Sequence, residues 1–205
     1  WVSAALPEEQ SIESISFPTK QEAYVQSIMG DNPVAIQARV AKARSKDLLL
    51  KYADFQTRYP GLLVQSVVGE ALFELNAVSL LGYDEASVRS ALEPLVDSLI
   101  RIDWNRRQLD TAWAKLFSTA AVVEVLNLSD SNFSDEDLLL LLSTMPELKK
   151  VNLTGTEFSD EQVDSIRAHS KIETIVLTGT QLSEVGYQKL INHLPGADII
   201  SDYSM

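Results

Sequence analysis

The chain has 205 residues, 45% of them hydrophobic and 22% charged, which is typical of a globular protein with a buried core. Its net charge of −12 falls mostly in residues 84–205, which carry 20 acidic and 10 basic side chains, and this excess argues against nucleic acid or an anionic membrane as a partner. The lack of cysteine excludes disulfides, thiol catalysis and thiolate zinc sites.

The first 59 residues show no repeat, and from Thr19 onward their pattern predicts helices. Residues 1–18 are polar and without period, which predicts an extended or mobile lead-in. The pattern turns helical at Thr19, and a first helix is expected to close at Met29–Asp31. A second helix is expected to open at Asn32 and Pro33 and to run towards Tyr59, with a break near residues 45–47 left open.

Two further helices are expected before residue 98. The apolar stretch from Leu62 to Gly82 predicts a third helix, and residues 84–95 predict a fourth. Residues 19–98 are therefore predicted to form a small all-helical domain that caps the remainder of the chain.

Three segments with the same apolar pattern follow. They begin at Val123, Leu148 and Ile172, and each places aliphatic or aromatic residues at offsets 0, 3, 5 and 10. The residues that match are Val123, Leu126, Leu128 and Phe133, then Leu148, Val151, Leu153 and Phe158, then Ile172, Ile175, Leu177 and Leu182. Since no single segment can bury its apolar face alone, we expect these segments to stack into one core.

The pattern extends in both directions. A degenerate copy without the Gly-Thr turn is found at Leu99, Ile102, Trp104 and Leu109. A truncated closing strand is expected at the end of the chain, with Ile200 in the position of the second apolar residue. Within each full copy a short strand precedes a helix, whose N-cap is predicted to be Ser134, Ser159 or Ser183.

The runs NLTGTEFSDEQV (152–163) and VLTGTQLSEV (176–185) resemble leucine-rich repeats of the bacterial and cysteine-containing subtypes. The resemblance covers roughly residues 99–200 and departs from the family where Ser131, Thr156 and Thr180 replace the usual asparagine. The repeat domain is expected to occupy residues 99–205. It implies an α/β fold, namely a short solenoid of about four repeats and a closing strand, with a parallel sheet, helices on the convex side and a role in protein–protein recognition.

The partner-binding surface is predicted on the inner face of that sheet. Strand alternation places two rows of side chains outward. The first row is Arg101, Val125, Lys150, Thr174 and Ile199, and the second is Asp103, Asn127, Asn152, Val176 and Ser201. These rows are mixed and mildly polar, which favours a protein contact over a small-molecule pocket.

Catalytic and metal chemistry is less well supported. His169 and His193 each lie near a helix C-terminus, where the helix dipole favours histidine. Acidic residues gather at two predicted helix starts, which the dipole also favours, at Asp130, Asp135, Glu136, Asp137, Asp160 and Glu161. The Gly155 and Gly179 segments lack phosphate-loop spacing, and the basic residues Arg101, Arg106 and Arg107 are expected to pair with nearby acids. No catalytic residue, metal or cofactor is therefore predicted.

The sequence favours a non-enzymatic protein-interaction module built on leucine-rich repeats. Because the chain opens on Trp1 rather than Met, we expect its true N-terminus to be missing, either with a processed signal peptide or anchor or through the choice of the fragment. We expect a bacterial envelope protein on the periplasmic or extracellular side. One alternative is an accessory or assembly subunit of a larger, membrane-bound complex, since the layout resembles the mitochondrial ATP synthase coupling factor B family. A second alternative is an enzyme or effector whose chemistry lies outside the repeats. No direct membrane insertion is expected.

Overall fold

The computed structural model describes residues 33–66, 70–166, 169 and 171–203, with side chains from Ser45 onward. The chain divides into two compact units, Trp1–Arg44 and Ser45–Met205, and only helical backbone from Pro33 is described in the first. The predicted lead-in over residues 1–18 and the predicted first helix lie outside the described residues.

Six α-helices and seven strands occur in the described part of the chain. The helices are α1 (Pro33–Arg58), α2 (Glu85–Leu92), α3 (Thr111–Phe117), α4 (Asp135–Thr144), α5 (Val163–Ile166) and α6 (Glu184–His193). The strands are β1 (Leu63–Gln65), β2 (Phe73–Asn76), β3 (Leu99–Asp103), β4 (Val125–Asn127), β5 (Lys150–Asn152), β6 (Thr174–Val176) and β7 (Asp198–Ile200). Short 3₁₀ turns cover Ala77–Leu80, Glu93–Ser98 and Asp160–Gln162.

The strands form one sheet in chain order, so the expected α/β class is confirmed. Strands β1 and β2 are antiparallel, and every later neighbour is parallel. One aliphatic residue from each parallel strand stands in register, in the row Leu75, Ile102, Leu126, Val151, Ile175 and Ile199. All six are buried and belong to the same hydrophobic core as the apolar residues of the helices.

Helix starts follow the predicted capping chemistry. The hydroxyl oxygens of Ser134 and Ser183 accept the backbone N–H groups of Asp137 and Gly186, and Ser159 forms a capping box with Gln162. These bonds satisfy N–H groups that the first turn of a helix leaves without a partner. The three predicted serine caps are therefore confirmed.

The prediction of a third helix between Leu62 and Gly82 is wrong. Residues 63–65 and 73–76 form strands β1 and β2, and β2 continues the sheet by pairing with β3. Buried Phe73, Leu75 and Ala77 alternate there with more exposed Glu74 and Asn76, as in a half-buried strand. The predicted all-helical domain over residues 19–98 is wrong for this reason.

The other two helices that precede residue 98 agree better with the sequence. Helix α1 ends at Arg58 as expected, and it is not broken at residues 45–47. Helix α2 begins after the Asp84 cap, whose carboxylate accepts the N–H of Ser87, and continues as a 3₁₀ turn to Ser98.

Helix α2 is attached to the next part of the chain through an aromatic cluster. The rings of buried Trp104 and Trp113 lie 4.6 Å apart, and Trp113 Nε1 donates a hydrogen bond of 2.9 Å to the Glu85 carboxylate. Glu85 also pairs with Arg107, whose guanidinium lies 5.4 Å from the Trp104 ring centroid. One carboxylate thus links α2 to α3 and to the turn before it.

The register of the last strand corrects two residues of the predicted rows. Ile199 pairs with Ile175 and is 8% exposed, whereas Ile200 pairs with Val176 and is 40% exposed. Ser201 is buried. Ile199 and Ser201 therefore do not face outward, and Asp198 and Ile200 take their places.

No described helix has the length and apolar character needed to cross a bilayer.

Candidate interaction surface on the sheet

The predicted rows of side chains come together on one face of the sheet. Arg101, Val125, Lys150 and Thr174 pair in register on four neighbouring strands and form row one. Asp103, Asn127, Asn152 and Val176 do the same two residues later along each strand and form row two. All eight are exposed or half-buried, in contrast to the buried residue between them on each strand.

Row one contains two cations that make no ion pair with the part of the chain that the structure describes. Arg101 and Lys150 are exposed and lie on either side of half-buried Val125. Neither makes an ion pair or hydrogen bond to the residues that the structure describes. With strands about 4.8 Å apart, the two cations stand about 10 Å from each other at the backbone.

Row two is held by hydrogen bonds. Asn127 Nδ2 donates to Asp103 Oδ1 at 2.9 Å, and Asn105 Nδ2 donates to the same oxygen at 2.5 Å. Asn127 Oδ1 accepts the N–H of Ser129, and Asn152 Oδ1 accepts the N–H of Thr154. These side chains fix the turns that follow β4 and β5, so they present a preformed polar strip.

Both rows extend beyond the predicted residues. Glu74 pairs with Arg101, and Val64 of β1 pairs with Glu74, so both continue row one. Asn76 pairs with Asp103 and continues row two. The sequence prediction missed these three because it took residues 62–82 as a helix, although the alternation of apolar and polar residues from Phe73 to Ala77 was a usable signal.

Five other described cations pair with acids of neighbouring strand–helix segments. Arg106 Nε lies 3.4 Å from Asp130, and Arg107 pairs with Glu85, which confirms the predicted pairing for these two arginines but not for Arg101. Three lysine pairs also join neighbouring segments, namely Lys149–Glu124, Lys171–Glu147 and Lys189–Asp164. The hydrogen bond to Glu124 raises the pKa of Lys149 above its ordinary value.

The acidic groups at the helix starts serve as hydrogen-bond acceptors. Asp137 accepts the Ser134 hydroxyl at 2.8 Å, and Asp135 accepts the Gln162 amide at 2.5 Å. Asp160 accepts both the N–H and the hydroxyl of Ser183, at 2.8 and 2.5 Å. The Ser183 hydroxyl and N–H hold the pKa of Asp160 below its ordinary value. These carboxylates therefore connect one strand–helix segment to the next or cap its helix.

The two histidines are separate from the sheet face. His169 is buried and His193 is half-buried. No group of three or more His, Cys, Asp or Glu side chains in the described ranges is arranged to hold a metal ion.

The turns after the strands contain a matched series of left-handed residues. Arg106, Asp130, Gly155 and Gly179 all have φ between 53° and 70°. Their N–H groups point along the sheet, from Arg106 to the Ser129 carbonyl, from Asp130 to that of Thr154 and from Gly155 to that of Thr178. Gly155 and Gly179 therefore serve this backbone conformation, in agreement with their interpretation as turn residues.

An open groove elsewhere lies between α1 and α2. It is lined by Lys51, Asp54, Arg58, Tyr59, Ala86, Ser87, Ser90, Ala91 and Pro94. Its cations are already paired, Lys51 with Asp47 and Arg58 with Asp54. The groove therefore offers less unsatisfied charge than the sheet face.

No protein-family model matches the chain, and no curated protein matches it.

Proposed function

We propose that the chain is a short leucine-rich-repeat stack that binds a protein partner through rows one and two of the sheet. The period of the apolar pattern supports the repeat assignment, because Ile102, Leu126, Val151 and Ile175 pair in register at intervals of 24, 25 and 24 residues. The matched left-handed turns after β3, β4, β5 and β6 support it as well. The proposal assigns no catalytic residue and no cofactor.

The observation that carries the binding proposal is the pair of cations on either side of Val125, Arg101 and Lys150, which have no ion partner among the described residues. Lys149, the neighbour of Lys150, is bonded to Glu124, whereas Lys150 makes no such bond to the described residues. Exposed charge on a preformed surface contributes to partner specificity and to the association rate more than to folding.

The experiment compares two double variants with the same change in charge. Arg101→Glu with Lys150→Glu alters the sheet face, whereas Lys46→Glu with Lys115→Glu alters exposed cations on α1 and α3 that have no ion partner among the described residues. Each immobilised protein is used to capture partners from a lysate of its own source, after circular dichroism has shown equal folding.

We expect one protein to be retained by the wild type and by the helix variant and to be lost from the face variant. Equal retention by both variants would place the interaction elsewhere. A partner held at one-to-one stoichiometry through washing at high salt would favour the accessory-subunit alternative, because transient recognition through a polar rim weakens with salt.

A further inference from the structure

His169 occupies a position that is apolar in three equivalent turns. Its carbonyl oxygen accepts the N–H of Ile172, and the carbonyls of Ala120, Met145 and Leu194 accept N–H groups from the residues three places ahead in the same way. Ala120, Met145 and Leu194 are buried, as is His169 with 6% of its surface exposed. One helix-to-strand turn of the four therefore carries an ionisable group inside the core.

The surroundings of the His169 imidazole suit its neutral form, with one ring proton, and not its doubly protonated form. One ring nitrogen donates a hydrogen bond to the backbone carbonyl of Leu142 at the end of α4, and the enclosed Nε2 has no partner among the described residues. A second proton would therefore create a buried charge and a buried donor without an acceptor, and both cost folding free energy.

No carboxylate contributes to the pKa of His169, which is set by its burial and by the Leu142 carbonyl. On the elements around the turn, Asp137 accepts from Ser134, Asp164 pairs with Lys189 and Lys171 pairs with Glu147. Burial lowers the pKa of His169, and the bond to the Leu142 carbonyl opposes this only in part. A histidine whose folded pKa lies below its ordinary 6.5 costs stability as the pH falls through 6.5 towards the folded value.

We propose that His169 is an acid-sensitive joint, that is, a position where protonation causes local unfolding of the segment that follows it. This segment contains β6, α6 and β7, and it should open in acid before strands β2 to β5 do. The segment is suited to local opening because it ends in β7, the edge strand of the described sheet. Opening would remove Thr174 and Val176 from the sheet face, so acid would shorten rows one and two.

Hydrogen exchange on the whole chain at about pH 5 and about pH 7.5, corrected for the intrinsic pH dependence of exchange, tests the joint. We expect acid to speed exchange in residues 174–176 relative to residues 125–127. The limit is about thirtyfold, which is reached if His169 takes up its second proton only in the open state and does so there with its ordinary pKa. His169→Met, which copies the residue at the turn of Met145, should abolish the difference, and His193→Gln should retain it.

Equal acid acceleration in His169→Met and wild type would overturn the proposal, as would no difference between the two segments in the wild type. If His169→Met does not fold, the ring of His169 is followed by NMR in the unaltered protein. A titration at the ordinary pKa with the fold intact would then refute the joint, and a folded-state titration well below it would support the joint.

Discussion

The carboxylate of Asp202 accepts a hydrogen bond of 2.9 Å from the backbone N–H of Gly179. In the preceding turns the matching N–H groups, those of Arg106, Asp130 and Gly155, bond to backbone carbonyl oxygens on the next strand–helix segment. The side chain of Asp202 therefore provides the hydrogen-bond acceptor that a backbone carbonyl provides in the preceding turns. It does so at the last of these turns in the described part of the chain.

Removal of this acceptor should loosen the last turn. Asp202→Ala is expected to lower the free energy of unfolding by about 1 kcal/mol, the net value of one hydrogen bond, while Asp202→Asn keeps an acceptor and should lose less. Urea unfolding measures both. Asp198→Ala is the control, since Asp198 is exposed on β7 and makes no side-chain bond to the described residues. An equal loss in the control would show that the bond contributes nothing specific.

Two glycines with the same backbone conformation should differ in their tolerance of alanine. Gly155 and Gly179 have φ of 68° and 70°, so each alanine should cost about 1–2 kcal/mol of left-handed strain. At Gly155 a Cβ would also overlap the Asp130 carboxylate, whereas at Gly179 it would meet only ordinary contacts. Gly155→Ala is therefore expected to be the more destabilising in thermal melts.

The overlap with Asp130 can be separated from the strain. The cost of Gly155→Ala measured against Asp130→Gly alone should be close to that of Gly179→Ala, because the obstructing carboxylate is then gone. If Gly155→Ala costs as much beside Asp130→Gly as it does in the wild type, the extra cost has another origin.

Acid should weaken the bond between Asp160 and Ser183. Because the pKa of Asp160 is lowered by its bonds to Ser183, the stabilisation is present above the ordinary value of 3.8 and is lost as the pH falls below it. The difference in unfolding free energy between wild type and Asp160→Asn should thus shrink as acid is added. A difference that stays constant or grows as acid is added would contradict the assignment.

A pair of neighbouring substitutions tests the inward and outward positions. Leu153 is fully buried, so Leu153→Asp should cost several kcal/mol and unfold the segment. Asn152→Asp keeps the Oδ1 acceptor for the N–H of Thr154 on the exposed face and should change stability little. Circular dichroism and urea melts distinguish the two, and cooperative melting of Leu153→Asp at the wild-type midpoint would refute the core assignment.

The offsets of the apolar pattern predicted the core from Leu99 to Leu182 because they reflect a local rule. A buried residue such as Leu126 recurs where the next strand places Val151, and both the spacing and the side chain are visible in the sequence. The serine caps were predictable for the same reason, since each lies just ahead of its own helix.

The errors arose where local sequence satisfies two patterns. Leu72, Leu75 and Val78 recur at helical spacing, while Phe73, Leu75 and Ala77 alternate as in a strand, and pairing with β3 decides for the strand. At the other end, adjacent Ile199 and Ile200 are both apolar, and only the register with Ile175 and Val176 shows which one is buried. Whether Arg101 and Lys150 meet an acidic partner depends on acids that are far away in the sequence, and no local pattern shows where those acids lie.

Gly186, in the first turn of α6, leaves space for the Asp160 carboxylate that binds Ser183. A Cβ at this position would overlap that carboxylate and the Leu182 side chain. The glycine therefore belongs to the segment before it as much as to its own helix. In homologous sequences, positions 160 and 186 should therefore change together. If one strand–helix segment were moved into another protein without the segment that precedes it, we expect a cavity or a steric clash where the two segments meet.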